Sequence, residues 1–218
     1  MGSKEWGRKM LKKSQIKTIL NNTDIENPLI ISPYVPINEG DGAASIDIRI
    51  GRWFVIYRTN RRGIVNLYPK EGGEKYDNYN YENLVSKRIF IPFGHDFVLQ
   101  PKSFALAVTL EWFRFPPDIG GYVIGKSSWG RYGLVIATAT GIHPGYTGCL
   151  ALELSNLGEM PIIIKPGTQI CQIFFEKVES ASADTSIDKT YFIGNRLPII
   201  PRDIVRRDPI AQALFEVL

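Results

Sequence analysis

A glycine-rich stretch near the middle of the chain ends in side chains that suit anion binding. Residues 120–127 read Gly-Gly-Tyr-Val-Ile-Gly-Lys-Ser, which formally matches the P-loop pattern G-x-x-x-x-G-K-[ST]. A P-loop needs a helix directly after its Lys-Ser pair, but Gly130 and Gly133 follow here. Each glycine costs a helix about 1 kcal/mol relative to alanine. The pattern therefore disfavours a P-loop.

The same segment still carries the chemistry of a phosphate site. Two cations and two hydroxyls are supplied by Lys126, Ser127, Ser128 and Arg131. Charged donors and hydroxyls beside a glycine-flanked turn suit phosphate oxygens. The alternative is a solvated turn with a structural arginine, and the residues alone leave both interpretations open.

A candidate general base lies in the segment 149–155, which reads Cys-Leu-Ala-Leu-Glu-Leu-Ser. In a strand, its three leucines share one face, and Ala151, Glu153 and Ser155 share the other. A carboxylate beside small residues can lie in a pocket wall, where its pKa rises and it can accept a proton. The alternative is an exposed strand glutamate, which the pattern by itself favours.

The turn that leads into this strand offers an aromatic side chain. Residues 141–148 read Gly-Ile-His-Pro-Gly-Tyr-Thr-Gly, with His143 and Tyr146 near the tip. Tyr146 between glycines could be a platform for a base or sugar, although turn aromatics more often serve packing.

Short strands must position these segments. Residues 8–21 predict an amphipathic helix that ends at Asn21 and Asn22. Strand character then recurs in roughly ten runs: 44–50, 53–57, 88–92, 95–100, 104–111, 121–125, 134–139, 149–154, 161–165 and 169–176. This spacing predicts an all-β sandwich, barrel or jelly roll.

Two regions fall outside the strand pattern. Residues 60–86 are polar and predict a long surface insertion. From residue 178 the alternation stops, and a small, polar linker leads into a proline-containing end. We therefore predict one β domain over residues 1–178, with a linker and C-terminal tail over 179–218.

The composition excludes several classes of function. The 218 residues include only two histidines and two cysteines, with no C-x-x-C and no H-x-E, so neither a zinc site nor a zinc-dependent nucleobase deaminase is expected. No apolar run approaches the ~18 residues of a membrane span, and the basic N-terminus lacks the apolar core of a signal peptide. The net charge is +4, and the basic residues form no long stripe in the sequence. We expect a cytoplasmic protein that binds neither membrane nor nucleic acid.

Taken in order, these segments resemble the dCTP deaminase branch of the dUTPase-like superfamily. The likeness covers about residues 10–177 and is carried by residues 125–134 (GKSSWGRYGL), 138–139, 144–148 (PGYTG), 152–156 (LELSN), 166–167 and Gln172, with 42–51 and 104–111 upstream. The resemblance implies a homotrimer of distorted jelly rolls with active sites between subunits. It also implies zinc-independent conversion of dCTP to dUTP and ammonia, with Mg²⁺ carried by the triphosphate.

The resemblance also implies roles for individual residues. Glu153 is the expected general base, and Ser127 is the expected hydroxyl beside the cytosine ring. Phosphate or transition-state contacts are expected from Lys126, Ser128 and Arg131. Tyr146 and Ala151 are expected to line the nucleoside pocket, Ala139 lies near the position whose backbone carbonyl helps orient the water in the family, and the tail is expected to contribute Tyr191.

Two segments depart from the family pattern. His143 stands where the family has an aspartate, near the deoxyribose or the hydrolytic water, so it is a further candidate substrate contact. The family's lid motif is represented only by Lys189-Thr190-Tyr191 and Gly194-Asn195. Two alternatives therefore stay open: a bifunctional enzyme that releases dUMP and pyrophosphate, and a non-catalytic nucleotide-binding protein.

Overall fold

Strands dominate the regular structure of the chain. The structure, a computed structural model, describes residues 9–22, 26–33, 44–57, 86–138, 141–178 and 194–199. In chain order the elements are β1 (Lys9–Met10), α1 (Lys13–Asn21), β2 (Ile30–Ser32), β3 (Ser45–Tyr57), β4 (Ser86–Phe90), β5 (Phe97–Leu99), β6 (Phe104–Arg114), β7 (Ile119–Gly125), α2 (Ser127–Gly130), β8 (Leu134–Ile136), β9 (Gly141–Ile142), β10 (Thr147–Asn156), β11 (Ile162–Ile164) and β12 (Gln169–Lys177). The predicted all-β class is confirmed.

The strands form one curled antiparallel sheet and a two-stranded companion. The main path runs β8-β10-β6-β3-β12-β7-β9, with β1 on β12, β2 on β6 and β4 on β3, while β11 pairs with β5. Strand β3 turns the sheet, since residues 45–49 pair with β12 and residues 50–56 pair with β6. A Cβ at Gly51, where β3 changes partner, would lie 2.9 Å from the carbonyl oxygen of Val108. Only glycine allows this close approach.

The core follows the alternation of the strands. In β3, Ile46, Ile48 and Ile50 are buried, while Asp47 and Arg49 between them are half-buried on the opposite face. Aromatic rings add to the core: Phe54 stacks on Phe97 with centroids 4.1 Å apart, and Phe115 stacks on Phe175 at 5.6 Å. Burying each large apolar side chain contributes about 1.5–3 kcal/mol to folding. The buried face of each strand therefore fixes the register of strand pairing, and that register determines which side chains lie on the outer face.

The N-terminal helix begins later than the sequence predicts. Its end at Asn21 is confirmed, but it starts at Lys13. Lys9 and Met10 instead pair with Lys177 and Glu176 at the edge of β12, and the Leu11 N–H donates to the carbonyl of Phe175 at 2.8 Å. An open sheet edge thus outweighs the local helical periodicity.

The ten predicted strand runs are found with small shifts of their ends, and 44–50 and 53–57 are joined in β3. The very short β1, β2 and β9 were not predicted, because two or three residues carry no readable alternation. Within the described ranges, neither helix is long and apolar enough to cross a membrane. The predicted insertion lies outside the described residues except for Ser86, and so does the predicted tail except for residues 194–199.

Candidate active site

Strand β10 holds Glu153 in a defined position. Its neighbours Leu152 and Leu154 are fully buried, while Glu153 is half-buried and Ala151 is exposed on the outer face. The backbone of Glu153 is held on both sides, because its N–H donates to Thr138 Oγ1 at 3.0 Å and its carbonyl accepts from the Ala137 N–H at 2.8 Å. The alternation predicted for this strand is confirmed, and it presents the carboxylate outward from a rigid element.

The anion-binding segment follows β7 as a single helical turn. Trp129 anchors this turn by donating its indole N–H to the carbonyl of Gln169 at 3.0 Å. Ser127, Ser128 and Arg131 are exposed around it. The turn is therefore fixed to the sheet and leaves two hydroxyls and one guanidinium open to solvent.

An ion pair orients the lysine before this turn. Lys126 Nζ donates to Asp47 Oδ2 at 2.6 Å, and both side chains are partly buried. Asp47 faces Gln172 across the β3–β12 pair, and Gln172 Oε1 accepts from Ser45 Oγ at 3.1 Å. The sequence interpretation gave Asp47 no role, although the alternation of residues 44–50 does place it on the outer face of β3.

A buried carboxylate lies behind β10. Glu111 is fully buried and accepts hydrogen bonds from the backbone N–H of Arg49 at 2.9 Å and from Arg49 Nη1 at 3.0 Å. Burial raises the pKa of Glu111, and this effect exceeds the lowering by the Arg49 hydrogen bonds and charge. Through its two hydrogen bonds with Arg49, the Glu111 carboxylate connects β3 to β6 in the interior of the sheet.

The same region contains a bulge that connects β6 to β10. The register shifts between the pairs Cys149–Trp112 and Ala151–Val108. Within the bulge, the Thr109 hydroxyl donates to the Glu111 carbonyl at 2.7 Å and accepts from the Leu150 N–H at 2.9 Å. No local sequence signal indicated this arrangement, because a bulge depends on the partner strand.

The turn before β10 is held by Tyr146. Its hydroxyl donates to the Cys149 carbonyl at 2.7 Å, and its ring meets Phe115 edge-on at 6.5 Å. Burial raises the pKa of Tyr146. His143 is exposed, and its carbonyl accepts from the Tyr146 N–H at 3.2 Å. These contacts hold Tyr146 in place beside β10, with its ring half-buried.

A C-terminal segment docks on the outer edge of β10. The Gly194 N–H donates to the Thr147 carbonyl at 2.6 Å, and the Cys149 N–H donates to the Asn195 carbonyl at 2.8 Å. Gly148, with φ +138°, allows this approach, since a Cβ there would lie 3.1 Å from the Asn195 oxygen. Of the other predicted site residues, Ala139 and Tyr191 lie outside the described residues.

The predicted site residues thus form two groups. The first comprises Lys126, Ser127, Ser128 and Arg131 at the end of β7, and the second comprises His143, Tyr146, Ala151 and Glu153 on β10 and its turn. Among the described residues, no hydrogen bond or ion pair joins the side chains of one group to those of the other. Nor, in these ranges, do three His, Cys, Asp or Glu side chains group closely enough to hold a metal ion.

Comparison with known proteins gives a consistent result. A family model described as dCTP deaminase-like matches residues 11–178. A dCTP deaminase from Halorubrum lacusprofundi is 37% identical over 168 residues, which cover 74% of this chain and 78% of that protein. The crystal structure of 2′-deoxycytidine 5′-triphosphate deaminase from Agrobacterium tumefaciens matches with a TM-score of 0.55 and 22% identity. That match covers 78% of this chain but only 46% of the Agrobacterium chain, and it supports the fold.

Proposed function

The chain belongs to the dCTP deaminase-like family, and we propose that it hydrolyses the amino group of dCTP to give dUTP and ammonia. The observation that carries the proposal is the family match over residues 11–178, which includes both groups of site residues. The half-buried carboxylate of Glu153, outward on a rigid strand, supplies the base that the reaction needs.

In the proposed mechanism, Glu153 accepts a proton from water as the water oxygen bonds to C4 of cytosine. Glu153 delivers this proton to N3 of the ring, which leaves C4 tetrahedral. It then moves the remaining hydroxyl proton to the amino nitrogen, the C4–N bond breaks as the C4=O bond forms, and ammonia leaves. In zinc deaminases a metal ion activates the water and a glutamate moves the protons. Because the sequence lacks their H-x-E and P-C-x-x-C motifs, we assign both tasks to Glu153. We assign Ser127 to orient the reacting groups, and Ala139 to contribute its backbone carbonyl.

We assign the triphosphate to the segment at the end of β7. Lys126, Ser128 and Arg131 offer charged and hydroxyl donors there, and Asp47 holds Lys126 in place. Mg²⁺ prefers to keep several waters and to bind substrate phosphates together with few carboxylates. This preference fits a cation that arrives on dCTP.

The nucleoside is assigned to the face formed by Tyr146, Ala151 and the turn at His143, with Tyr191 as a contact from the tail. An imidazole at position 143 in place of a carboxylate argues against activation of a second water at the triphosphate. The proposed product is therefore dUTP, and release of dUMP and pyrophosphate is the alternative that product analysis distinguishes.

We further propose that the chain acts as a homotrimer whose sites lie between subunits. The support is geometric: Ser127 and Arg131 are exposed and make no direct bond to Glu153 within the described part of one chain. A neighbouring subunit could bring the second group of residues to the first. Residues 1–178 would supply the site, and the remaining tail would cover it.

The role of Glu153 can be tested with a matched pair of variants. Glu153→Gln keeps the size of the side chain but removes the base, so kcat for ammonia release from dCTP should fall by a factor of about 10²–10⁴. The control is Glu159→Gln, which removes an 80% exposed carboxylate beyond the end of β10 and should leave kcat unchanged. Full activity of a folded Glu153→Gln variant would overturn the assignment.

A further inference from the structure

A pocket of about 320 Å³ opens beside the C-terminal segment, apart from Glu153. Its lining includes two tryptophans, two arginines and Cys149, with the backbone of the β6 bulge behind them; the side chains are Arg52, Trp53, Trp112, Cys149 and Arg196. Ligand pockets commonly measure about 300–1,000 Å³. The pocket is therefore large enough for one small organic ligand.

The position of the pocket on the sheet separates it from the proposed reaction site. Cys149 opposes Trp112 on the outer face of β10 and β6, whereas Glu153 opposes Leu106 farther along the same strands. Four strand residues span about 13 Å. Glu153 is not among the lining residues. The two places are neighbours on one face, and Ala151 lies between them.

The charge of the pocket favours an anion. Arg52 lines the pocket, and its guanidinium lies 5.0 Å from the ring centroids of both Phe90 and Phe93, which stand outside the pocket lining. No Asp or Glu lines the pocket, and among the residues that the structure describes neither Arg52 nor Arg196 has a carboxylate partner. Two positive charges thus remain available to a ligand.

The aromatic walls favour a planar ring. Trp53 is braced by Phe90, with ring centroids 4.9 Å apart, and Trp112 is fixed in the β6–β10 pair opposite Cys149. Indole faces stack on any nucleobase, and arginines pair with phosphate oxygens through parallel N–H donors. These two kinds of group are found together in the pocket.

We propose that this pocket binds a nucleoside phosphate as a second ligand, with its base against Trp53 and Trp112 and its phosphate on Arg52 and Arg196. This goes beyond the deamination of dCTP and does not depend on it. Arg196 belongs to the segment that hydrogen-bonds to the edge of β10 at Thr147 and Cys149. A bound ligand would therefore hold that segment in place next to the proposed nucleoside wall.

The test is isothermal titration calorimetry of the full chain with ATP, which has no cytosine ring to deaminate. We expect saturable binding with a Kd below about 1 mM, at least tenfold weaker in Arg52→Gln and in Trp112→Ala, which removes the stacking ring. Arg114→Gln is the matched control, because Arg114 lies on β6 but does not line the pocket, and its affinity should be unchanged. Inorganic triphosphate, which has no ring, should bind at least tenfold more weakly than ATP.

A variant of the substrate site separates this proposal from the proposed function. Arg131→Gln removes an exposed side chain that we assign to the triphosphate of dCTP, and it should leave the ATP affinity unchanged; an affinity at least tenfold weaker would place ATP in the substrate site and overturn the proposal. Absence of binding, equal affinity for triphosphate, or wild-type affinity in the variants would also overturn it. Circular dichroism checks folding, and Arg196→Gln, on an exposed residue, provides a second test if a strand variant fails to fold. Deamination of dCTP is measured separately and is unaffected by these outcomes.

Discussion

At the scale of single residues, two glutamates on neighbouring strands lie in opposite environments. Glu153 is half-buried on the outer face of β10, where it can meet a substrate. Glu111 is fully buried and bound by Arg49. The environment thus separates a partly exposed carboxylate, which we propose as the general base, from a buried one that joins two strands.

The raised pKa of Glu111 predicts how stability depends on pH. Because folding raises this pKa above its ordinary value of 4.5, the folded state binds the proton more readily than the unfolded state. The resulting stabilisation is fully present below pH 4.5 and is lost as the pH rises through the pKa of the folded state. Glutamine does not titrate. The free energy of unfolding of the wild type relative to Glu111→Gln should therefore decrease as the pH rises from 4.5 toward neutrality.

Urea denaturation at a series of pH values measures this difference. Glu159→Gln, which replaces an 80% exposed carboxylate by the same amide, provides the control for the substitution itself. A difference for Glu111→Gln that increases with pH would show that attraction to Arg49 outweighs burial, contrary to the prediction.

At the scale of elements, three parts of the chain lie along the outer edge of β10: strand β8, the turn that precedes β10, and the C-terminal segment. Residues 154–156 pair with β8, whereas Cys149 bonds to Asn195. Ala151 lies between these two contacts and is exposed within the described residues. We propose that the nucleoside of dCTP meets the sheet there.

Gly148 should control the docking of the C-terminal segment. Gly148→Ala places a Cβ 3.1 Å from the Asn195 oxygen at φ +138°, so we expect a loss of about 1–3 kcal/mol of stability. Hydrogen exchange at the Cys149 amide, which bonds to Asn195, should become faster. Gly141→Ala is the control, because nothing lies within 4 Å of its added Cβ. Equal exchange rates in both variants would contradict this docking.

The sequence predicts elements whose signal is local and misses those that depend on a partner. The alternation in residues 149–154 is enough to place Glu153 on one face of the strand and the three buried leucines on the other face. Glu111 had no comparable signal, because its burial depends on a bulge and on Arg49, which lies 62 residues away in the chain. The start of α1 was mispredicted for the same reason, since pairing with β12 decides it.

At the scale of the whole molecule, the separation of the two groups of site residues predicts a functional dependence on assembly. Size-exclusion chromatography with light scattering should give three times the mass of the chain. Glu153→Gln and Ser127→Ala should each be inactive alone. If sites lie between subunits, mixed trimers should regain about a quarter of wild-type activity, because each half of a site is intact with a probability of about one half.

The mixing experiment needs a control for subunit exchange. Two separately prepared batches of Glu153→Gln, unfolded and refolded together, should stay inactive. A monomer with full activity, or no recovery in mixtures shown to be trimeric, would contradict a site shared between subunits.

The most direct test of the proposed function is incubation of the chain with dCTP and Mg²⁺, followed by chromatography of the nucleotides and assay of ammonia. The account predicts that dUTP and ammonia appear in equal amounts, that no dUMP accumulates, and that Glu153→Gln forms both products about 10²–10⁴ times more slowly. A chain that binds dCTP but leaves it unchanged would contradict deamination and favour a nucleotide-binding role, and dUMP with pyrophosphate would contradict the assignment of dUTP as the end product.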